Sequence, residues 1–207
     1  LRPRLTGRAA EQLLAEQQLN GERFDLIDLD AFGSPGPLIQ PALQRLRRGG
    51  ILFLASTDGR SPTGHERVGA VRSLGAAARV HPASWELALR HQLGLIARLA
   101  WMNGHGISPL LSFSDGRTFR TAVRLQQNPD PRQDENLGLL ARCEGCGDQQ
   151  EQSLLRLTGW PSCCCRSGQG RWMVSGPLWL GPLQDPAAIE GLMQQTVPIA
   201  EATTRLL

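Results

Sequence analysis

The chain has 207 residues, 41% of them hydrophobic, and a formal net charge of +3. That composition suits one domain or two small ones and excludes a histone-like polycation; no apolar run approaches the roughly 20 residues that cross a bilayer, and no secretory signal is visible. Five cysteines, an odd number clustered towards the C-terminus, favour a metal site or free thiols over a disulfide framework, and so a reducing, cytoplasmic location away from membranes.

Taken in chain order, residues 8–19 read as a helix with Leu13, Leu14 and Leu19 among Glu, Gln and Ala. Residues 24–29 read as a buried strand. Residues 37–48 read as a helix with Leu38, Ala42, Leu43 and Leu46 on one face, stopped by Gly49-Gly50. The apolar run 51–55 suits a central parallel strand, so this part is half of a doubly wound α/β sheet. Residues 56–83 are linker-like, with one helix around 67–74, and Asp58 and His65 read as solvated loop residues. Ser84 is expected to cap a helix starting at Trp85, with Trp85, Leu89, Leu93, Ile96 and Leu99 inward, Arg90 and Arg98 on the surface, and Trp101 in the core. Residues 107–113 and 118–125 form a hairpin about Ser114-Asp115-Gly116-Arg117. On its second strand Phe119, Thr121, Val123 and Leu125 share one face; Arg120, Ala122 and Arg124 share the other, which suits RNA phosphate or any half-exposed strand. Asn128-Pro129-Asp130-Pro131 marks a boundary, dividing the chain into 1–128 and 129–207.

In the second part, Cys143-x-x-Cys146-Gly147 is half of a zinc-knuckle site, because the turn aims two sulfurs at one ion. Cys163-Cys164-Cys165 follows at zinc-ribbon spacing. Neighbouring cysteines ligate one ion poorly, so Cys163 and Cys165 are the expected pair, with Cys164 in reserve. A vestigial site is the alternative; a redox role is disfavoured because Gly147-Asp148 reads as a turn, not a helix start. Trp172 and Trp179 are expected to pack against this ribbon, with exposed base stacking as the alternative. Asp185-Pro186 starts a helix with Ile189, Leu192 and Met193 on one face. Pro198 breaks it, and a last short helix runs to Leu206.

The stretch richest in chemistry is Phe24-Asp25-Leu26-Ile27-Asp28-Leu29-Asp30-Ala31-Phe32-Gly33-Ser34-Pro35. A strand-like segment ends in an acid, then an aromatic, a glycine and a proline. This suits activation of an exocyclic base amine, whose lone pair is delocalised into the ring. A carboxylate accepts from adjacent N–H donors such as guanine N1–H and N2–H. Phe32 can stack on the base, Gly33 permits close backbone approach, and Pro35 stiffens the exit. The alternative is an Asx turn at a strand end, where the same residue types are ordinary.

Asp30-Ala31-Phe32-Gly33-Ser34-Pro35 resembles the D-P-F/Y-G-S-P motif of the tRNA guanine-26 N2-dimethyltransferase family. Similar pieces follow in the family's order: Gly49-Gly50-Ile51-Leu52-Phe53-Leu54 with Ser56-Thr57-Asp58, then Trp85-Glu86-Leu87-Ala88-Leu89-Arg90. Ser108-Pro109-Leu110-Leu111-Ser112, the Cys-x-x-Cys, and Gly176-Pro177-Leu178-Trp179-Leu180-Gly181-Pro182-Leu183 complete the set. The resemblance implies part of a Rossmann-like class I methyltransferase domain followed by a small α+β domain with a zinc-ribbon-like cysteine cluster that binds tRNA. It also implies S-adenosylmethionine as cofactor, Asp30 as catalytic and cofactor-binding residue, and Ala9 near the cofactor's adenine. Ala31, Phe32, Gly33, Ser34 and Pro35 would bind substrate, and Cys143, Cys146, Cys163 and Cys165 would hold zinc. Ala31 stands where the family has proline, so a looser turn is expected.

The chain starts at Leu1, and no glycine-rich strand–helix loop precedes Asp30. The expectation is a fragment or truncated product lacking the first βα units and inactive alone. The competing readings are a non-enzymatic zinc-containing RNA-binding module, a decayed enzyme without cofactor binding, or a methyltransferase acting on another amine.

Overall fold

In the computed structural model, which describes residues 5–163, 165 and 170–194, the first two strands are joined by a helical crossover, as parallel pairing requires. α1 (Ala10–Leu19) packs on α2 (Gly36–Arg45), which links β1 (Phe24–Ala31) to β2 (Leu46–Ser56). After α3 (Arg67–Leu74) and α4 (Ser84–Met102), the hairpin β3 (Gly106–Ser114) and β4 (Phe119–Gln126) completes a sheet of order β1-β2-β4-β3. β2 pairs parallel with β1 but antiparallel with β4, so it is central to a mixed sheet, not to a parallel one.

α2 and α4 cover one face. Leu29, Leu52, Leu54, Val123 and Leu125 meet Ile39, Leu43, Leu93 and Ile96 there, each buried side chain contributing about 1.5–3 kcal/mol. Inside this layer Gln92 Nε2 donates to Thr121 Oγ1 at 2.9 Å, which satisfies two buried polar groups at once. The opposite face carries Asp28 and Asp30 on β1, Phe53 on β2, and Arg120 and Arg124 on β4.

Several expectations are corrected. β1 is not a buried strand: Leu29 is its one buried residue, because it forms an edge of the described sheet and the second face is uncovered there. The helix expected over 37–48 ends at Arg45. Leu46 is drawn into the core and pairs with Phe24, so Arg47 and Arg48 are already strand. Gly50 marks the close approach of β2 to β1, since a Cβ there would lie 3.2 Å from the Asp25 and Phe24 carbonyl oxygens. Ser84 opens α4 as its first residue, and its hydroxyl bonds the His81 carbonyl. Trp85 points outward. Arg90 and Arg98 are half-buried and tied to backbone, not free on the surface. Arg90 Nη1 donates to the Trp179 and Gly181 carbonyls at 3.0 Å each, and Arg98 caps the C-terminal carbonyls of α3 at Leu74 and Gly75.

Beyond the short helix α5 (Pro131–Asp134), which falls at the expected boundary, the chain forms a second, antiparallel sheet. Its order is β6 (Gln149–Ser153), β5 (Leu137–Cys143), β7 (Trp172–Trp179). Strands were expected here as part of an α+β domain, but none was given bounds. β7 lies on α4, where a Cβ on Gly94 would come within 2.9 Å of Leu178 Cα, so the approach depends on glycine. Trp179 is 1% exposed and sits in the main core beside Trp101, not against the cysteines, with its Nε1–H donating to the Pro182 carbonyl at 2.9 Å. Trp172 pairs with Trp160 near the cysteines, ring centroids 6.3 Å apart. In α6 (Pro186–Gln194), Leu192 and Met193 are exposed. The expected helix break at Pro198, the last helix, and Cys164 lie outside the described residues. Among the described residues no helix is long and apolar enough to cross a membrane.

His91 lies buried on α4, with neither ring nitrogen completing a hydrogen bond. Burial, then the Arg98 charge, pushes its pKa down to about 4 from 6.5, although the Pro177 carbonyl opposes this in part. Between those values the unfolded chain binds a proton that the folded chain refuses. Stability from this group is therefore full above pH 6.5 and falls as pH drops towards 4. Urea unfolding is expected to show a loss on the order of 3 kcal/mol across that window. His91→Gln should flatten this dependence.

Candidate active site and metal centre

β1 ends at Ala31, opposite Ser56 in the register, and the chain turns through Phe32, Gly33, Ser34 and Pro35 into α2. The turn is clamped to the end of β2. Gly33 N–H donates to Thr57 Oγ1 at 2.7 Å, while the Gly33 carbonyl accepts from Ser56 Oγ at 3.0 Å and from Thr57 N–H at 3.2 Å. Gly33 has φ +82°, which a side chain would resist. Pro35 is buried, and Ser34 Oγ accepts from Gly36 N–H at 3.4 Å. These bonds hold the loop where Ala31 supplies no ring constraint.

On this frame Asp30 and Phe32 are presented outward. The Asp30 side chain is 64% exposed, and Phe32 is 100% exposed, with both ring faces in solvent. Asp30, Ala55 and Arg120 lie in one row across β1, β2 and β4, which brings Arg120 Nη2 to 3.8 Å from Asp30 Oδ2. The Arg120 guanidinium is also 6.0 Å from the Phe53 ring centroid. So exposed a pair contributes less than about 1 kcal/mol. Sequence reasoning missed this pairing, because only the register of β4 on β2 creates it.

Asp58 and His65 are tied into the loop after β2. Asp58 Oδ1 accepts from Arg60 N–H at 3.1 Å and Ser61 N–H at 3.0 Å, and His65 Nδ1 is 2.9 Å from Thr63 Oγ1. Ala9 stands at the N-terminal end of α1. It adjoins an apolar cleft between α1 and β1 lined by Ala10, Leu13, Leu14, Leu26 and Asp28, without itself lining it.

The second constellation is at the end of β5. The Sγ atoms of Cys143, Cys146, Cys163 and Cys165 all lie within 4.8 Å of one another. Cys143 and Cys165 are 3.5 Å apart, and Cys146 and Cys163 3.2 Å. Zinc–thiolate bonds of about 2.3 Å in a tetrahedron need sulfur separations of about 3.8 Å, so the four residues fit such an ion. The backbone is cut to the same cradle: a Cβ on Gly170 would lie 2.7 Å from Cys163 Cβ, and one on Gly145 2.9 Å from Cys165 Sγ. The knuckle amides stabilise thiolate. The Cys146 N–H and the Cys163 thiol pull Cys143 down to about 6, and the Asp148 N–H lowers Cys146. Cys163 and Cys165 are pushed up, in both cases chiefly by their contact with Cys143. Four thiols this close compete for protons, a conflict that a soft divalent cation removes.

Comparison with known proteins was made against this geometry. The family model for N2,N2-dimethylguanosine tRNA methyltransferase matches residues 5–206. The tRNA (guanine(26)-N(2))-dimethyltransferase of Pyrobaculum neutrophilum is 33% identical over 175 residues, covering 84% of this chain and 45% of that protein. The Methanosphaerula palustris protein of the same name is 30% identical, covering 91% of this chain and 50% of that one. Trm1 from Pyrococcus horikoshii, solved in complex with S-adenosyl-L-methionine, superposes with a TM-score of 0.79 at 28% identity, over 94% of this chain and 50% of that one. The chain thus spans about half the length of the relatives it matches. With the family model matched along nearly its whole length, and with an α/β fold shared with Trm1, the chain belongs to the N2,N2-dimethylguanosine tRNA methyltransferase family.

Proposed function

We propose that the chain forms the base-binding side of an S-adenosylmethionine-dependent methyltransferase site acting on the N2 amine of guanine 26 in tRNA. The observation that carries this is the end of β1: an outward carboxylate and a fully exposed phenyl ring on a clamped turn, in a chain of this family. Asp30 would accept from guanine N1–H and N2–H and take up the proton lost from N2. Phe32 would stack on the base, the Ala31 carbonyl would contact the amine, and Gly33, Ser34 and Pro35 would hold this edge in place. Flipping the guanine out of its stack costs a few kcal/mol. Stacking of about 1–3 kcal/mol and a charge-assisted bond of about 1.5–3 kcal/mol offset it.

The cofactor, when bound, supplies an electrophilic methyl group. Of this chain's residues, Asp30 and the apolar cleft between α1 and β1 suit the neighbourhood of a sulfonium and its hydrocarbon arms. Residues 1–128 would be the catalytic part and 129–207 a tRNA-binding part. There Cys143, Cys146, Cys163 and Cys165 would hold a structural zinc, pinning the β5–β6 turn to the segment before β7. A reducing cytoplasm keeps those thiols available.

Calorimetric titration of S-adenosylmethionine into this chain and into the longest product of its gene tests the reading. Binding by either supports a methyltransferase. Binding by neither would leave an RNA-binding module without cofactor chemistry.

A further inference from the structure

Trp85 lies at the same pole of the sheet as Asp30, although its spacing in α4 suggests a core position. It is 56% exposed, a large ring left half in water at the first turn of the helix. The rest of that turn is anchored, with Ala88 and Leu89 packed on buried Phe119 of β4. The indole is seated on the β3–β4 turn at Gly116. A Cβ on Gly116 would lie 2.8 Å from Trp85 Cη2 and 3.2 Å from Cζ2, and Gly116 has φ +86°. The backbone therefore requires glycine, and a side chain there would also push the ring off its seat.

The turn beneath is itself rigid. Asp115 Oδ1 accepts from Arg117 N–H at 2.9 Å and from Thr118 N–H at 2.8 Å, and Ser114 Oγ accepts from Gly116 N–H at 3.1 Å. Arg117 follows directly. Its side chain is exposed and has no partner among the described residues. A fixed aromatic surface with a free guanidinium beside it is the pair of groups that single-stranded nucleic acid uses, one for a base and one for a phosphate.

The site's position is set by strand register. Ser114 pairs with Phe119, Phe119 with Ser56, and Ser56 with Ala31, so the turn begins one row beyond Asp30. From β1 to β3 is three strand spacings, about 14 Å. A short unpaired run of RNA covers that distance.

We propose that Trp85, seated on Gly116 and flanked by Arg117, stacks an unpaired RNA base a few nucleotides along from the one that enters at Asp30 and Phe32. The ligand class is an unpaired ribonucleotide within a folded RNA. The proposal rests on the RNA-directed part of the function given above, and it adds a second base contact on the far side of the same pole.

The test is binding of a fluorescent tRNA transcript and of a short oligoadenylate to this chain without cofactor. Trp85→Ala is expected to weaken both about tenfold, and Trp85→Phe, which keeps a ring, by less than about threefold. Oligoadenylate should quench wild-type tryptophan emission and lose that effect in Trp85→Phe. Arg117→Gln, on a side chain that holds nothing else, covers the case in which Trp85→Ala does not fold. It should lower the slope of log K against log salt by about 0.7 for the oligonucleotide. Unchanged affinity in Trp85→Ala, undiminished quenching in Trp85→Phe, or an unchanged slope in Arg117→Gln would overturn the proposal. Methyl transfer is scored separately: loss of transfer with RNA binding intact counts against the catalytic reading alone, while a wild-type chain that binds no RNA sinks both.

Discussion

Asp30→Asn is expected to reduce methyl transfer to tRNA by two to four orders of magnitude, the range a positioned proton acceptor contributes. The reason is partly one of charge and partly one of hydrogen-bond sense. An amide nitrogen set against guanine N1–H places donor against donor, and the amide oxygen is too weak a base to hold the N2 proton. Folding should not change, because the side chain is 64% exposed and its ion pair with Arg120 is a surface one. The lost charge-assisted bond is worth about 1.5–3 kcal/mol while Phe32 remains to stack, so tRNA affinity should fall by about tenfold or somewhat more, well short of the fall in rate. A parallel fall in affinity and rate would mean that Asp30 only binds. Circular dichroism of the variant separates either result from misfolding.

The second large effect is expected at the sulfurs. Purified chain should carry one zinc, measured by atomic absorption, and Cys143→Ser should lose it. Cys143 is the fully buried member of the four and closes β5, while Cys163 and Cys165 meet it from the stretch that precedes β7. Removing the ion with a chelator should therefore lower the melting temperature by on the order of 10 °C. The same treatment should expose the stretch between β6 and β7 to protease. Because α4 and Trp179 join β7 to the main core independently of the sulfurs, the first sheet should survive. A chain purified without zinc, or a zinc-loaded chain that melts at the same temperature with and without chelator, would contradict the structural role.

What the sequence discloses follows the range of the forces involved. α3 and the β3–β4 hairpin are readable because their signals are local: a short helical run, and alternation around an Asp-Gly turn. One half of the sulfur cluster is similarly local, since a Cys-x-x-Cys turn aims both sulfurs whatever surrounds it, whereas Cys163 and Cys165 join it only through the fold. The end of α2 is not readable. Leu46 has good helical spacing, but pairing with Phe24 and burial in the core give it a better place in β2. Nor is the exposure of β1, since apolar residues on a strand do not say whether a second layer covers them. β5 and β7 contain Gly138 and the Gly176-Pro177 pair, which look like turns until tertiary pairing makes them strands. At the candidate site, Asp30 and Phe32 announce themselves by residue type. Arg120 and Trp85 do not, for their meaning comes from register on one side and a glycine turn on the other.

The most direct measurement is mass spectrometry of nucleosides from tRNA incubated with S-adenosylmethionine and the longest product of the gene, wild type beside Asp30→Asn. N2-methylated guanosine at position 26, formed by the wild type and nearly absent with the variant, is the predicted result. Equal methylation by both proteins, or a methyl group on any other atom of the tRNA, would contradict the assignment of Asp30 to the N2 amine.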